Sequence, residues 1–154
     1  MKNEQMVDVL NKLVVINNDR IEGYETALGE TDENDLQLMF RQFVATSHKC
    51  KQELISEITK LGGKPEEGTK TTGKFFRAWM DVKAALTAHD RKAILSSCEF
   101  GEDHAVDTYE KVLKDDINDL TADLQTLVRS QYNLIKADHD KVKSMRDQMV
   151  SNPH

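Results

Sequence analysis

The residues able to do chemistry in this chain sit where apolar side chains are due. At about 100° per residue along a helix over Arg91 to Lys114, Ile94, Cys98, Glu102, Ala105, Tyr109 and Val112 share one face. Lys92, Glu99, Asp103, Asp107 and Lys114 face away or lie along its edges. Glu102 therefore places a carboxylate in a core-facing stripe, and Asn17, Ser47 and Gln131 interrupt three other stripes in the same manner. Inward carboxylates on facing helices can hold a pair of divalent ions. That chemistry requires a Glu from each of two helices and Glu-x-x-His from each of the other two, so that charge balances and both ligands share a face. The chain offers Asn17, then Ser47 with Cys50, Glu102, and Gln131 with Leu134. One carboxylate and no histidine would leave two divalent ions poorly neutralised, so no metal and no catalytic residue is expected there. The expectation is instead a buried polar layer of Asn17, Ser47, Glu102 and Gln131. In it Glu102 is hydrogen-bonded to Gln131 and Asn17, or reached by Arg20 from the edge.

Four long helices must position this layer. Met6, Leu10, Leu13, Val14, Ile21, Tyr24 and Leu28 give the first, over about 3–28, with Gly29 as its stop and Thr31 or Asp32 as the next N-cap. Leu36, Met39, Phe40, Phe43, Cys50, Leu54, Ile58 and Leu61 give the second, over about 33–61. Gly62, Gly63 and Pro65 close it, because glycine takes a left-handed C-cap and proline forbids continuation. A polar connection over 64–74 leads to a short helix at 75–86, where Phe75, Phe76, Trp79, Val82 and Leu86 supply an aromatic contact. Thr87 with Asp90 resembles a capping box and predicts the third long helix from Ala88. A turn near Asp115 and Asp116 precedes the fourth, over about 118–149, whose stripe Gln131 and Asp138 interrupt; the tail at 151–154 is expected to fray. Asn17 and Ser47 lie about as far from the first turn as Glu102 and Gln131 do from the last, roughly 21 Å at 1.5 Å per residue. All four then share one level of an all-α, single-domain bundle over 1–150. A long crossover between the second and third long helices is the connection of ferritin-like bundles.

Composition narrows the function classes. The 154 residues carry a net charge of −6 with 31% charged side chains and no basic run, which argues against nucleic acid or an anionic membrane as partner. The N-terminal segment has no small-residue cleavage pattern, and no span approaches the roughly 20 apolar residues of a membrane helix. A soluble, cytoplasmic protein is expected. Cys50 and Cys98 are too few and too far apart for a disulfide scaffold or zinc motif, and read as small core residues. His48 and His139 project to the flanks of their stripes, His104 faces solvent, His89 sits near a helix start and His154 is terminal. Asp103, Asp138 and Asp140 lie near enough in sequence to give an adventitious surface metal site with these histidines. No phosphate loop, nucleophile elbow or Ser/His/Asp arrangement can be assembled.

The segments INNDRIEGYE (16–25), ITKLGGKPEE (58–67), FRAWMDVKAAL (76–86), DRKAILSSCEFGEDHAVDTY (90–109) and SQYNLIKADHDKVKSMRD (130–147) resemble the bacterial ferritin-like four-helix-bundle family grouped as domain of unknown function 2383. The resemblance implies a ferritin-like bundle with a short crossover helix and carries no assigned activity. The paired Glu-x-x-His motifs of ferritins are missing, so ferroxidase chemistry and iron storage are not transferred. The leading expectation is a non-enzymatic bundle acting through structural, homo-oligomeric or protein-partner contacts. The alternative is a metal-binding protein or metal-dependent oxidase holding Fe, Mn or Zn through Glu102 with Glu25, Glu99, Asp138 or His139. A helical adaptor would instead show an exposed apolar groove beside the crossover helix.

Overall fold

The computed structural model describes residues 2–67 and 74–151, with side chains described over 2–67 and 80–148. Among the described residues there are five α-helices, one 3-10 turn and no strand: α1 (Lys2–Glu30), α2 (Asn34–Lys60), α3 (Lys74–Thr87), α4 (Arg91–Asp115) and α5 (Ala122–Ser151), with the 3-10 turn at Ile117–Asp119 before α5. The aromatic contact expected from Phe75, Phe76 and Trp79, and the tail beyond Ser151, lie outside the described residues. No helix among the described residues is long and apolar enough to cross a membrane.

The cores show how the helices run. One apolar cluster joins Leu10, Leu13 and Val14 of α1 to Leu54 and Ile58 of α2, Tyr109 and Val112 of α4, and Leu124 and Val128 of α5. A second joins Tyr24 and Ala27 to Leu36, Phe40 and Phe43, Val82 and Leu86 of α3, Ile94 and Cys98, and Val142. The start of α1 therefore shares an end with the finish of α2 and α4 and the start of α5, and α3 packs on α4 and α1 at the other end. At that other end Arg91 pairs with both Glu33 and Asp35, so α2 and α4 begin at the same end. Between the clusters, each long helix turns a polar residue inward.

Helix boundaries follow capping chemistry, and several differ from the sequence expectation. Gly29 does not end α1: a single exposed glycine costs only about 1 kcal/mol against alanine, and Glu30 continues the turn. Neither Thr31 nor Asp32 caps α2. Its N-cap is Glu33, which makes no side-chain cap bond, while Thr31 Oγ1 accepts the Glu33 N–H at 3.2 Å. Thr87 does not start α4 either; α3 runs through it, and Asp90 is the N-cap, accepting the Ala93 N–H at 3.1 Å. Between them His89 takes φ +54° to reverse the chain. α5 starts at Ala122 rather than near 118, because Gln125 Nε2 holds the Ile117 and Leu120 carbonyls and Thr121 Oγ1 accepts from Leu124 N.

The end of α2 is a Schellman closure. Gly63 N–H donates to Ile58 O and Gly62 N–H to Thr59 O, both at 3.0 Å, with Gly62 at φ +79°. Asn11 of α1 then straps the outgoing chain, donating to Lys64 O at 3.1 Å and accepting from Glu66 N at 2.9 Å. Of the two glycines only Gly62 needs its backbone freedom; Gly63 is there for space, since a Cβ would lie 2.5 Å from Val7 Cγ2. Gly62→Ala and Gly63→Ala should each lower stability in urea by about 1–2 kcal/mol. Adding Val7→Ala should relieve the second substitution and not the first.

Candidate functional site

The four polar positions expected inside are all buried, with Asn17, Ser47 and Gln131 at 0% exposure and Glu102 at 1%. Hydrogen bonding divides them into two groups rather than one. Asn17 Nδ2 donates to Tyr109 Oη at 2.9 Å, and Tyr109 donates to Gln131 Oε1 at 2.8 Å. Gln131 Nε2 closes the chain on Cys50 O at 3.1 Å and Glu53 Oε1 at 3.2 Å. Glu102 belongs to the other group. Neither Gln131 nor Asn17 is its hydrogen-bond partner.

That partner is Arg20, which lies not at the edge but fully inside, 1% exposed. Its Nη2 donates to Glu102 Oε1 at 2.7 Å and to Asp138 Oδ2 at 3.2 Å, and its Nη1 to Ser47 Oγ at 2.6 Å. The guanidinium also stands 5.6 Å from the Tyr24 ring centroid and 5.7 Å from that of Phe43, within cation–π reach. Tyr24 Oη donates a short hydrogen bond to the same Glu102 oxygen. Arg20 thus donates a hydrogen bond to one residue from each of the other three long helices. Two of its side-chain contacts are carboxylates, so a delocalised cation sits at the level where sequence reasoning tested for metal.

Burial governs the ionisation of this group. It opposes the Arg20 charge, but Glu102, Tyr24 and Asp138 outweigh it and hold the guanidinium above its ordinary pKa. Burial raises the Tyr24 phenol well above its usual range and Glu102 raises it further, so it remains a donor. For Asp138 burial is the largest influence, Arg20 pulls back and Glu102 pushes up again, leaving it at about 6. Cys50 and Cys98 are both buried and free; burial lifts the Cys50 thiol to about 11 and raises Cys98 as well, so neither presents a thiolate nucleophile. Among the described residues, Arg20 Nε and Glu102 Oε2 have no hydrogen-bond partner.

The five side chains named as metal candidates do not converge on one site. Glu102 and Asp138 share Arg20 inside, whereas Glu99 and His139 meet on the flank of α4 and α5 beside Asp103. Glu25 is exposed and lies 3.7 Å from His48 Nε2. Sequence reasoning offered Arg20 as an alternative partner of Glu102 but placed it at the edge, because an arginine beside an apolar stripe ordinarily extends its head to solvent. The available signal was Glu102: a buried carboxylate needs a cation or donors, and Arg20 is one turn from Asn17 at that level.

Fold and site define an all-helical protein whose two apolar cores are separated by a buried arginine–carboxylate network. The chain belongs to the family described as domain of unknown function 2383, whose model matches residues 5–115, from α1 to the end of α4. The segment 130–147, and with it Gln131, Asp138 and His139, lies outside that match. No curated protein matches the chain.

Removing one partner of a buried pair strands the other's charge. Glu102→Gln should therefore cost about 3 kcal/mol in urea unfolding, not stabilise the protein as an isolated buried acid would predict. Asp138 supplies a pH signature. With its folded pKa raised, unfolding releases its proton as pH climbs from about 4 to about 6, so its contribution to stability is present at low pH and lost across that window. Asp138→Asn should remove this component from the stability profile measured between pH 4 and pH 7.

Proposed function

We propose that the chain is a ferritin-like four-helix bundle, with α3 in the crossover between α2 and α4, and that it works through contacts rather than catalysis. Its polar layer holds the helices in register where relatives of that architecture use ions. Arg20 is the observation that carries this reading. A guanidinium is a permanent cation that Glu102 and Asp138 already neutralise, and its five donors fix direction as a metal's coordination would. A metal-dependent oxidase using Glu102 would have to expel a fully buried arginine first. The raised thiol pKa values of Cys50 and Cys98 likewise favour a quiet interior.

The surface supports action by contact. Leu38, Met80 and Phe100 are large apolar residues left 66%, 52% and 49% exposed on α2, α3 and α4, and association with further copies or a protein partner would cover them. The net charge of −6 disfavours nucleic acid, and a bacterial cytoplasmic setting fits the expectations from sequence. Light scattering of the full chain should give a mass larger than one chain, reduced by Leu38→Asp or Phe100→Asp without loss of helicity. Elemental analysis of protein purified without chelator should find the same metal content in wild type and Glu102→Gln. A pair of ions per chain that disappears in Glu102→Gln would overturn the reading.

A further inference from the structure

We propose that Glu99, Asp103 and His139 form a site for one divalent first-row transition ion on the flank of the α4–α5 pair, apart from the Arg20 layer. Glu99 and Asp103 are four residues apart, which sets both carboxylates on one edge of α4. Antiparallel α5 brings His139 to the same edge, and one donor atom from each of the three lies within 4.8 Å of the other two. Metal–oxygen and metal–nitrogen bonds of about 2.0–2.2 Å place neighbouring ligand atoms about 3 Å apart, so modest side-chain rotations complete the triad.

The imidazole is oriented for this. Its Nδ1 lies 3.1 Å from Asp140 Oδ1 and its Nε2 2.5 Å from Asp103 Oδ1. A carboxylate that accepts the Nδ1–H fixes the tautomer and ring direction of a metal-binding histidine. Asp140 is placed to do so, which leaves Nε2 as the nitrogen presented to the ion. Two carboxylates match a charge of two. Glu99 also receives Arg146, whose other nitrogen donates to Asp147 Oδ1 at 3.0 Å; the guanidinium keeps a carboxylate when Glu99 turns to the ion.

Accessibility suits an exchangeable ion. The side chains of His139 and Glu99 are 15% and 13% exposed and that of Asp103 56%, so water fills the remaining coordination positions and the ion enters from solvent. One imidazole with two carboxylates favours zinc, iron, manganese or cobalt over calcium and magnesium, which prefer oxygen alone.

Cobalt is a suitable probe because its visible absorption reports coordination. Untagged full chain, freed of metal and titrated with Co2+ by calorimetry and absorption, should bind one equivalent. Affinity should fall by about 10-fold or more in His139→Gln and Asp103→Asn, and by about 10-fold with unchanged stoichiometry in Asp140→Asn. Glu102→Gln and His48→Gln should bind as wild type, and excess Ca2+ should not compete. These flank positions lie outside both apolar cores, so circular dichroism should show full helicity in each His139, Asp103 and Asp140 variant. Absence of saturable binding, binding unchanged in His139→Gln and Asp103→Asn, or loss in His48→Gln instead would overturn the proposal.

Discussion

A guanidinium held away from water is the constraint around which this molecule is arranged. Taking an ion out of water costs several kcal/mol even after relaxation, and Arg20 recovers that cost only through contacts that three other helices must deliver together. Ser47, Glu102 and Asp138 belong to α2, α4 and α5, and Tyr24 and Phe43 cap the cation with aromatic faces. Sliding any one helix by a residue would turn its partner group away. Leucine or valine cores tolerate such slips better, since apolar contact is not directional.

The two apolar clusters acquire their identity from this layer. Without it, one continuous hydrophobic seam would run the length of the helices. With it, Leu13 and Tyr109 belong to one core and Tyr24 and Cys98 to the other. The second polar group runs from Asn17 through Tyr109 and Gln131 to the Cys50 carbonyl and the Glu53 carboxylate, contains no cation, and keeps its phenol protonated through burial. Two networks thus lie side by side, one built on the Arg20 cation and one on the Tyr109 phenol, and burial brings Asp138 of the first to about 6.

Helix content was legible in the sequence because three-and-four apolar spacing persisted for many turns, and Glu102 stood out against that spacing. Levels could be matched by counting from the turns, which placed Asn17, Ser47, Glu102 and Gln131 inside. What counting could not supply was pairing. Side chains as long as arginine reach across several ångströms, so Arg20 enters the core from a position one turn beyond Asn17. Caps failed for a related reason: Thr87 and Asp90 both satisfy a start signal, and the choice between them depends on whether α3 continues, which tertiary packing of Val82 and Leu86 decides. At Gly62 the signal was unambiguous because two glycines and a proline agree.

The partners of Arg20 are spaced 27, 82 and 118 residues along the chain from it. During synthesis α1 emerges before α2, α4 and α5, so the hydrogen bonding of the arginine is complete only once α5 has docked. Without α5 docked, Glu102 still balances the arginine's charge, but the Arg20 Nη2 bond to Asp138 is missing at the centre. The network therefore ties the docking of α1, α2, α4 and α5 into a single event, since each of the last three supplies one acceptor to the same guanidinium.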